Sequence, residues 1–216
     1  TTLIYIWQEA SNFLIGQDLP AIFGMKINQL ILGGQYWRLI TPVLLHGSVV
    51  HIIFNMYALY SFGRSLERYF GHTRFLILYV LSGFAGNIAS FIFTPSPSLG
   101  SSTAIFGILG AQGVFLYQNR KLFGGFGQRA LGQLVSIAAV NLIIGLSPRI
   151  DNWGHIGGLV GGTLFAWVAG PLLALQGIYP NLSLVDQREP VIVWQSAAGV
   201  GLALILLAVG AIYFKG

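Results

Sequence analysis

Apolar residues run in long blocks along the chain, separated by clusters of glycine, proline and charge. A bilayer's hydrocarbon core is about 30 Å thick and needs roughly 20 apolar residues as helix, so blocks of this length read as membrane spans. Seven are expected, at Thr1 to Gly16, Ile40 to Phe62, Phe75 to Phe93, Ser102 to Tyr117, Leu131 to Leu146, Trp153 to Leu175 and Val191 to Phe214. The first is short and carries Gln8, Glu9 and Asn12, which fits the remainder of a longer span or an interfacial helix. A mixed connector with Trp37 and Arg38 joins it to the second. The pattern predicts an all-α fold, a polytopic membrane helical bundle. It has a six-helix core over residues 1–176, a cytoplasmic linker over 177–190 and an additional C-terminal transmembrane helix over 191–216.

Composition sharpens that expectation. The 216 residues are 55% hydrophobic and only 8% charged, against roughly 25% charged in soluble chains. Cys 0 removes disulfides, thiolate nucleophiles and cysteine-ligated metals together. The net charge of +5 comes from basic residues at the ends of apolar blocks, so it signals topology rather than nucleic-acid binding. Arg64, Arg68 and Arg74 join spans two and three, Arg120, Lys121 and Arg129 join spans four and five, and Arg188 lies between six and seven. Lys26, Arg38, Arg149 and Lys215 fall on the opposite face. Because basic loops stay cytoplasmic, spans two, four and six run from outside to inside.

Polar groups within spans are costly and mark function. Here they gather at the beginnings of the even-numbered spans. Span two carries His46, His51 and Asn55, span four opens with Gly100-Ser101-Ser102-Thr103, and span six opens with Asp151-Asn152-Trp153-Gly154-His155. Three segments distant in sequence thus bring a hydroxyl, an imidazole and an amide to one depth. The fifteen steps from Ser102 to Tyr117 cover about 22 Å as helix, less than the ~30 Å core. Ser102 is therefore expected below the outer surface, with the Pro95-Ser96-Pro97-Ser98 loop dipping inward to line a hydrated cavity.

A serine hydroxyl needs a base to become a nucleophile, and histidine titrates in the right range. Ser102 and His155 are the expected pair. The backbone N–H of Ser102, the Asn55 amide and the His51 imidazole are candidate donors to the oxyanion, the latter two sharing a face at i, i+4. Gly107, Gly110, Ala111 and Gly113 on span four, and Gly157, Gly158, Gly161 and Gly162 on span six, would let those helices approach closely. Phe106, one turn after Ser102, is placed to stack on the imidazole. Asp151 reads as an N-cap rather than the third member of a triad. Taken singly, Ser102 or His155 is more often a satisfied structural residue; the joint pattern reverses that. Glu67, among arginines, reads as a structural partner, Trp37 and Arg38 as an anchor for the loop, and Asn141 as lining a gate or, by preference, bonding a neighbouring helix.

Together these residues resemble the rhomboid family of intramembrane proteases. The resemblance rests on Trp37-Arg38, His46, His51-x-x-x-Asn55, Gly63-x-x-x-Glu67-x-x-x-Gly71, Gly100-x-Ser102 and His155-x-x-Gly158-x-x-x-Gly162, in order from span two to span six. It implies a Ser-His dyad of Ser102 and His155, an oxyanion site completed by His51 and Asn55, and supporting places for His46, Gly100, Phe106 and Gly158. It implies lateral entry of transmembrane protein substrates from the lipid bilayer and cleavage near their outer ends, in a bacterial plasma membrane, with no cofactor, metal ion or nucleic acid. The seventh helix resembles the family's six-plus-one variants. One departure is Thr103, where the family's usual residue after the nucleophile is glycine; it is expected to bring a β-branched side chain near the oxyanion site. Two other functions fit the pattern less well: a catalytically inactive relative that binds transmembrane helices, and a small-solute transporter with His51 and His155 on a proton path, which would commonly show repeated halves.

Overall fold

A computed structural model of the chain describes residues 1–148 and 150–216; Arg149, counted above with the outer-face cations, lies outside them. Helix α1 (Thr2–Ile15) ends where Gly16 turns left-handed at φ 69°. The connector then folds into two short helices, α2 (Leu19–Gly24) and α3 (Asn28–Leu32), and two 3₁₀ turns at Tyr36–Leu39 and Thr41–Leu44. Helix α4 (Val49–Ala58) starts at Ser48, whose hydroxyl accepts from the His51 amide, and passes through a π turn at Leu59–Gly63 into α5 (Arg64–Phe70). Then follow α6 (His72–Phe93), α7 (Ser102–Gln118), α8 (Arg120–Ile144), α9 (Asn152–Ala169), strands β1 (Leu173–Gln176) and β2 (Ser183–Asp186), and α10 (Pro190–Lys215).

Three helices among the described residues are long and apolar enough to cross a membrane: α6, α8 and α10. The catalytic candidates sit on others. Helix α7 has 17 residues, Thr103 through Leu109 buried without a break, as expected of a helix apolar all round. It is sheathed by α6, α8 and α9. The glycines of α9 fall into two ridges. A Cβ on Gly158 or Gly162 would strike the α7 backbone at Thr103 and Gly107, while one on Gly157 or Gly161 would strike α6 at Ala89 and Ala85. Spaced four apart, each pair lines one face, so α9 lies close to both neighbours at once. Leu66, Phe70, Leu78, Ile108, Phe115 and Phe165 form the largest core cluster. Helix α10 joins a second cluster with the connector, where Ala208 meets Ile31, Leu39, Ile88 and Phe91.

Several expected boundaries move. The helix of the second apolar block begins at Val49 rather than Ile40, because Pro42 and Gly47 interrupt the block, and its helical path runs on to Phe70. The fifth begins at Arg120, with a break at Gly124, whose φ is 51°. The sixth stops at Ala169 before Gly170-Pro171. Leu173 to Leu175, expected as the end of a helix, lies in the strand Leu173–Gln176, paired antiparallel with Ser183–Asp186, so the boundary drawn at residue 176 falls inside a hairpin. Asp186 holds that hairpin to α6 through an ion pair with Arg74 at 2.9 Å.

Candidate active site

The loop before α7 is tied down residue by residue. The Gly100 amide donates to Pro42 O at 2.9 Å, and Ser98 exchanges backbone hydrogen bonds with Lys26. Gly100 has φ 138°, and a Cβ there would lie 2.8 Å from Cε1 of His51, 2.9 Å from its Nε2 and 3.6 Å from Oγ of Ser102. A side chain there would collide with the His51 imidazole, so the position needs glycine. From α9, Nε2 of His155 lies 3.0 Å from Oγ of Ser102. The two ends separated by 53 positions in sequence therefore meet at hydrogen-bond distance.

Phe106 stacks on the His155 ring, centroids 4.3 Å apart and planes 13° from parallel. Asp151 is otherwise engaged: its carboxylate accepts from the Gly154 amide and from the hydroxyls of Ser90 and Thr94. In the loop ahead of α9, burial pushes this carboxyl up, but hydrogen bonds from Ser90, Ser98, the Gly154 amide and Thr94 outweigh that and hold it below its ordinary value. Among the described residues, Nδ1 of His155 has no hydrogen-bond partner. The arrangement is a hydroxyl and an imidazole at hydrogen-bond distance with an aromatic ring stacked on the imidazole, and the Asp151 carboxylate is not joined to it.

Of the candidate oxyanion groups, His51 lies against Gly100 beside Ser102, and Asn55 bonds back to its own helix. Asn55 is buried, and its Nδ2 donates back to His51 O at 2.9 Å, leaving its second N–H for another acceptor. His46 is buried beside His51, ring centroids 5.0 Å apart, and its Nε2 lies 3.1 Å from Oγ of Ser101. Thr103 departs from expectation. Its methyl occupies a slot between α6 and α9, where a Cβ on Gly86 or Gly154 would meet it, rather than the space over Gly100. Its β-branch is accommodated by two glycines on other helices. Asn141 also departs: it is exposed on α8 and donates to Ile137 O of its own helix. Glu67 pairs with His72 rather than with an arginine. Trp37 and the buried Arg38 do bond the connector, to Phe23 O and to Met25 O and Ile22 O respectively.

Gln8, noted only as a polar residue of the first block, also belongs to the site's surroundings. It is buried in α1, its Nε2 donating to His46 O and its Oε1 accepting from the His46 amide, so the backbone at His46 is clamped from both sides. The signal was an uncharged amide within an apolar block. Among the described residues no group of acidic, histidine or cysteine side chains is placed to hold a metal ion.

The rhomboid domain family matches residues 33–172. The chain is 47% identical over 170 residues to the rhomboid protease GluP of Bacillus subtilis, covering 78% of this chain and 33% of that protein. It is 38% identical over 182 residues to RHOMBOID-like protein 4 of Arabidopsis thaliana, covering 82% of this chain and 44% of that one, and 40% identical over 162 residues to RHOMBOID-like protein 7, covering 73% and 51%. The chain belongs to the rhomboid family. With its apolar helices, this makes it an integral membrane protein. It spans between a third and about half the length of these curated relatives. All the motif residues from Trp37 to Gly162 fall inside the rhomboid match, whereas Gln8, Lys26 and helix α10 fall outside it.

Proposed function

We propose that this rhomboid protein is an intramembrane serine endopeptidase acting through a Ser102–His155 dyad. The observation that carries the reading is the 3.0 Å approach of the imidazole to the hydroxyl. In the first step Oγ of Ser102 attacks the scissile carbonyl carbon while Nε2 of His155 takes its proton. Negative charge collects on the carbonyl oxygen, which receives hydrogen bonds from the Ser102 amide at the start of α7, from His51 and from Asn55. The imidazolium then returns its proton to the leaving amine, and water, deprotonated by the same ring, releases the acyl group from Ser102. Phe106 holds the ring in place of a carboxylate.

The substrates are membrane proteins entering laterally and cut near the outer ends of their spans. We assign six core spans to α1, the α4–α5 path, α6, α7, α8 and α9, with α10 as the seventh, and place the starts of α4, α7 and α9 toward the outer face. The basic residues at the opposite ends support that orientation, and the sequence likeness to a bacterial protease supports a bacterial plasma membrane. Cleavage of a single-span reporter in liposomes tests the reading. Wild type should release product, and Ser102→Ala and His155→Ala should not; equal product from all three would overturn it.

A further inference from the structure

Behind the candidate site lie a buried cation and a half-buried carboxylate that the proposed reaction does not use. Lys26 is fully buried, its Nζ donating to Thr94 O at 2.7 Å, Ser96 O at 2.8 Å and Ser90 O at 3.4 Å. Asp151 does not touch Lys26. It accepts from the hydroxyls of the same two residues, Ser90 and, at 2.9 Å, Thr94. Ser90 and Thr94 thus give their carbonyls to a cation and their hydroxyls to an anion. Four residues apart at the end of α6, they share a face. Helix ends leave carbonyls without intrahelical partners, which explains a cation at this place, but neutral donors would serve that purpose without the cost of burying charge.

The connections run toward the reacting groups. Asp151 caps α9 through the Gly154 amide at 3.1 Å, and its carbonyl accepts from the His155 amide at 3.2 Å. Oγ of Ser90 also meets Oγ of Ser98 at 3.2 Å, and Ser98 pairs its backbone with Lys26 in the loop that delivers Ser102. One polar unit therefore holds both the loop before α7 and the start of α9. We propose that Lys26, Ser90, Thr94 and Asp151 are positioning residues: a tether on the end of α6 that sets Ser102 and His155 against each other. The inference rests on the Ser102–His155 reading above. Misplacing reacting groups by an ångström costs up to about 100-fold in rate, so the tether acts on the chemical step rather than on substrate binding.

The test compares kcat and KM of reporter cleavage in liposomes for the full chain. Ser90→Ala with Thr94→Val removes both hydroxyls and leaves the cap on α9. Asp151→Ser keeps a capping oxygen but is too short to reach α6. Asp151→Asn keeps the shape of the residue. The first two should lose about 10- to 100-fold in kcat with KM within about twofold of wild type, and combining them should cost little more than either alone. Asp151→Asn should recover most of the loss of Asp151→Ser. A role confined to capping predicts instead that Asp151→Ser matches wild type and that the hydroxyl variants lower the melting temperature but not kcat. Either unchanged kcat in the folded hydroxyl variants or a rise confined to KM would overturn the inference. If the double variant fails to fold, Thr94→Val alone is read the same way, with a smaller loss expected and an unchanged kcat contradicting it. Ser102→Ala and His155→Ala run beside these: were they active, the dyad would fail, whereas inactive dyad variants with unaffected tether variants would sink the tether alone.

Discussion

Thr103 fills a slot that Gly86 and Gly154 leave open, so its size and theirs are coupled. A Cβ on Gly154 would lie 3.0 Å from the Thr103 methyl and 3.2 Å from the Asp151 carboxylate. Gly154→Ala is expected to destabilise the protein by about 1–3 kcal/mol through overpacking, and Thr103→Ser should recover part of that by removing the methyl. A double-mutant cycle on thermal melting checks this; strictly additive effects would contradict the slot. Asp151 supports a second prediction. Its carboxyl is held below its ordinary value, so its contribution is complete above the unfolded value and is lost as pH falls through the folded one. The melting-temperature gap between wild type and Asp151→Asn should stay constant from neutral pH to about pH 5 and close below about pH 4. A gap that widens on acidification would contradict the assignment. At this scale the candidate chemistry was legible. Ser102, His51 and His155 are polar residues set within or beside apolar blocks, and that contrast makes them visible. Where Thr103 points, and what Gln8 and Lys26 hold, depends on neighbours brought near only by the fold.

At the scale of the helix, the glycines of α9 touch their neighbours whereas Gly199 and Gly210 of α10 do not. Gly162→Ala would drive a methyl into the α7 backbone at Gly107, whereas the environs of Gly199 and Gly210 on α10 are open. The first should cost about 1–3 kcal/mol and reduce reporter cleavage; alanine at Gly199 or Gly210 should leave both within error. Melting curves and product yields from the three variants decide, and equal effects would show that close approach of α7 and α9 is not what those glycines provide. The existence of most of the long helices could be read from apolar blocks, but their ends could not. Ile40–Leu45 is apolar yet not α-helical, because Pro42 lacks an amide donor and Gly47 follows it. Leu173–Gln176 continues the sixth block in composition but lies past Gly170-Pro171, a pair that ends helices. Backbone hydrogen bonding, rather than hydropathy, placed these limits.

Across the whole molecule, the parts outside the rhomboid match brace those inside it. Helix α10 packs its Ala208 against the connector and α6, and Lys215 at its end donates to Phe91 O at 3.1 Å. Asp186 joins the hairpin to α6 through Arg74 and accepts from the amides of Leu172 and Arg188. Asp186→Ala should lower stability by about 1–3 kcal/mol with kcat retained, since the pair lies at the other end of α6 from Ser90; a loss of kcat without a loss of stability would contradict this division. The central claim, that Ser102 is a nucleophile activated by His155, is tested most directly by covalent capture. A fluorophosphonate allowed to react with the protein in liposomes, followed by mass spectrometric location of the adduct, should mark Ser102 in wild type and leave His155→Ala essentially unlabelled. An adduct on any other residue, or labelling of Ser102 at the same rate without His155, would contradict the account.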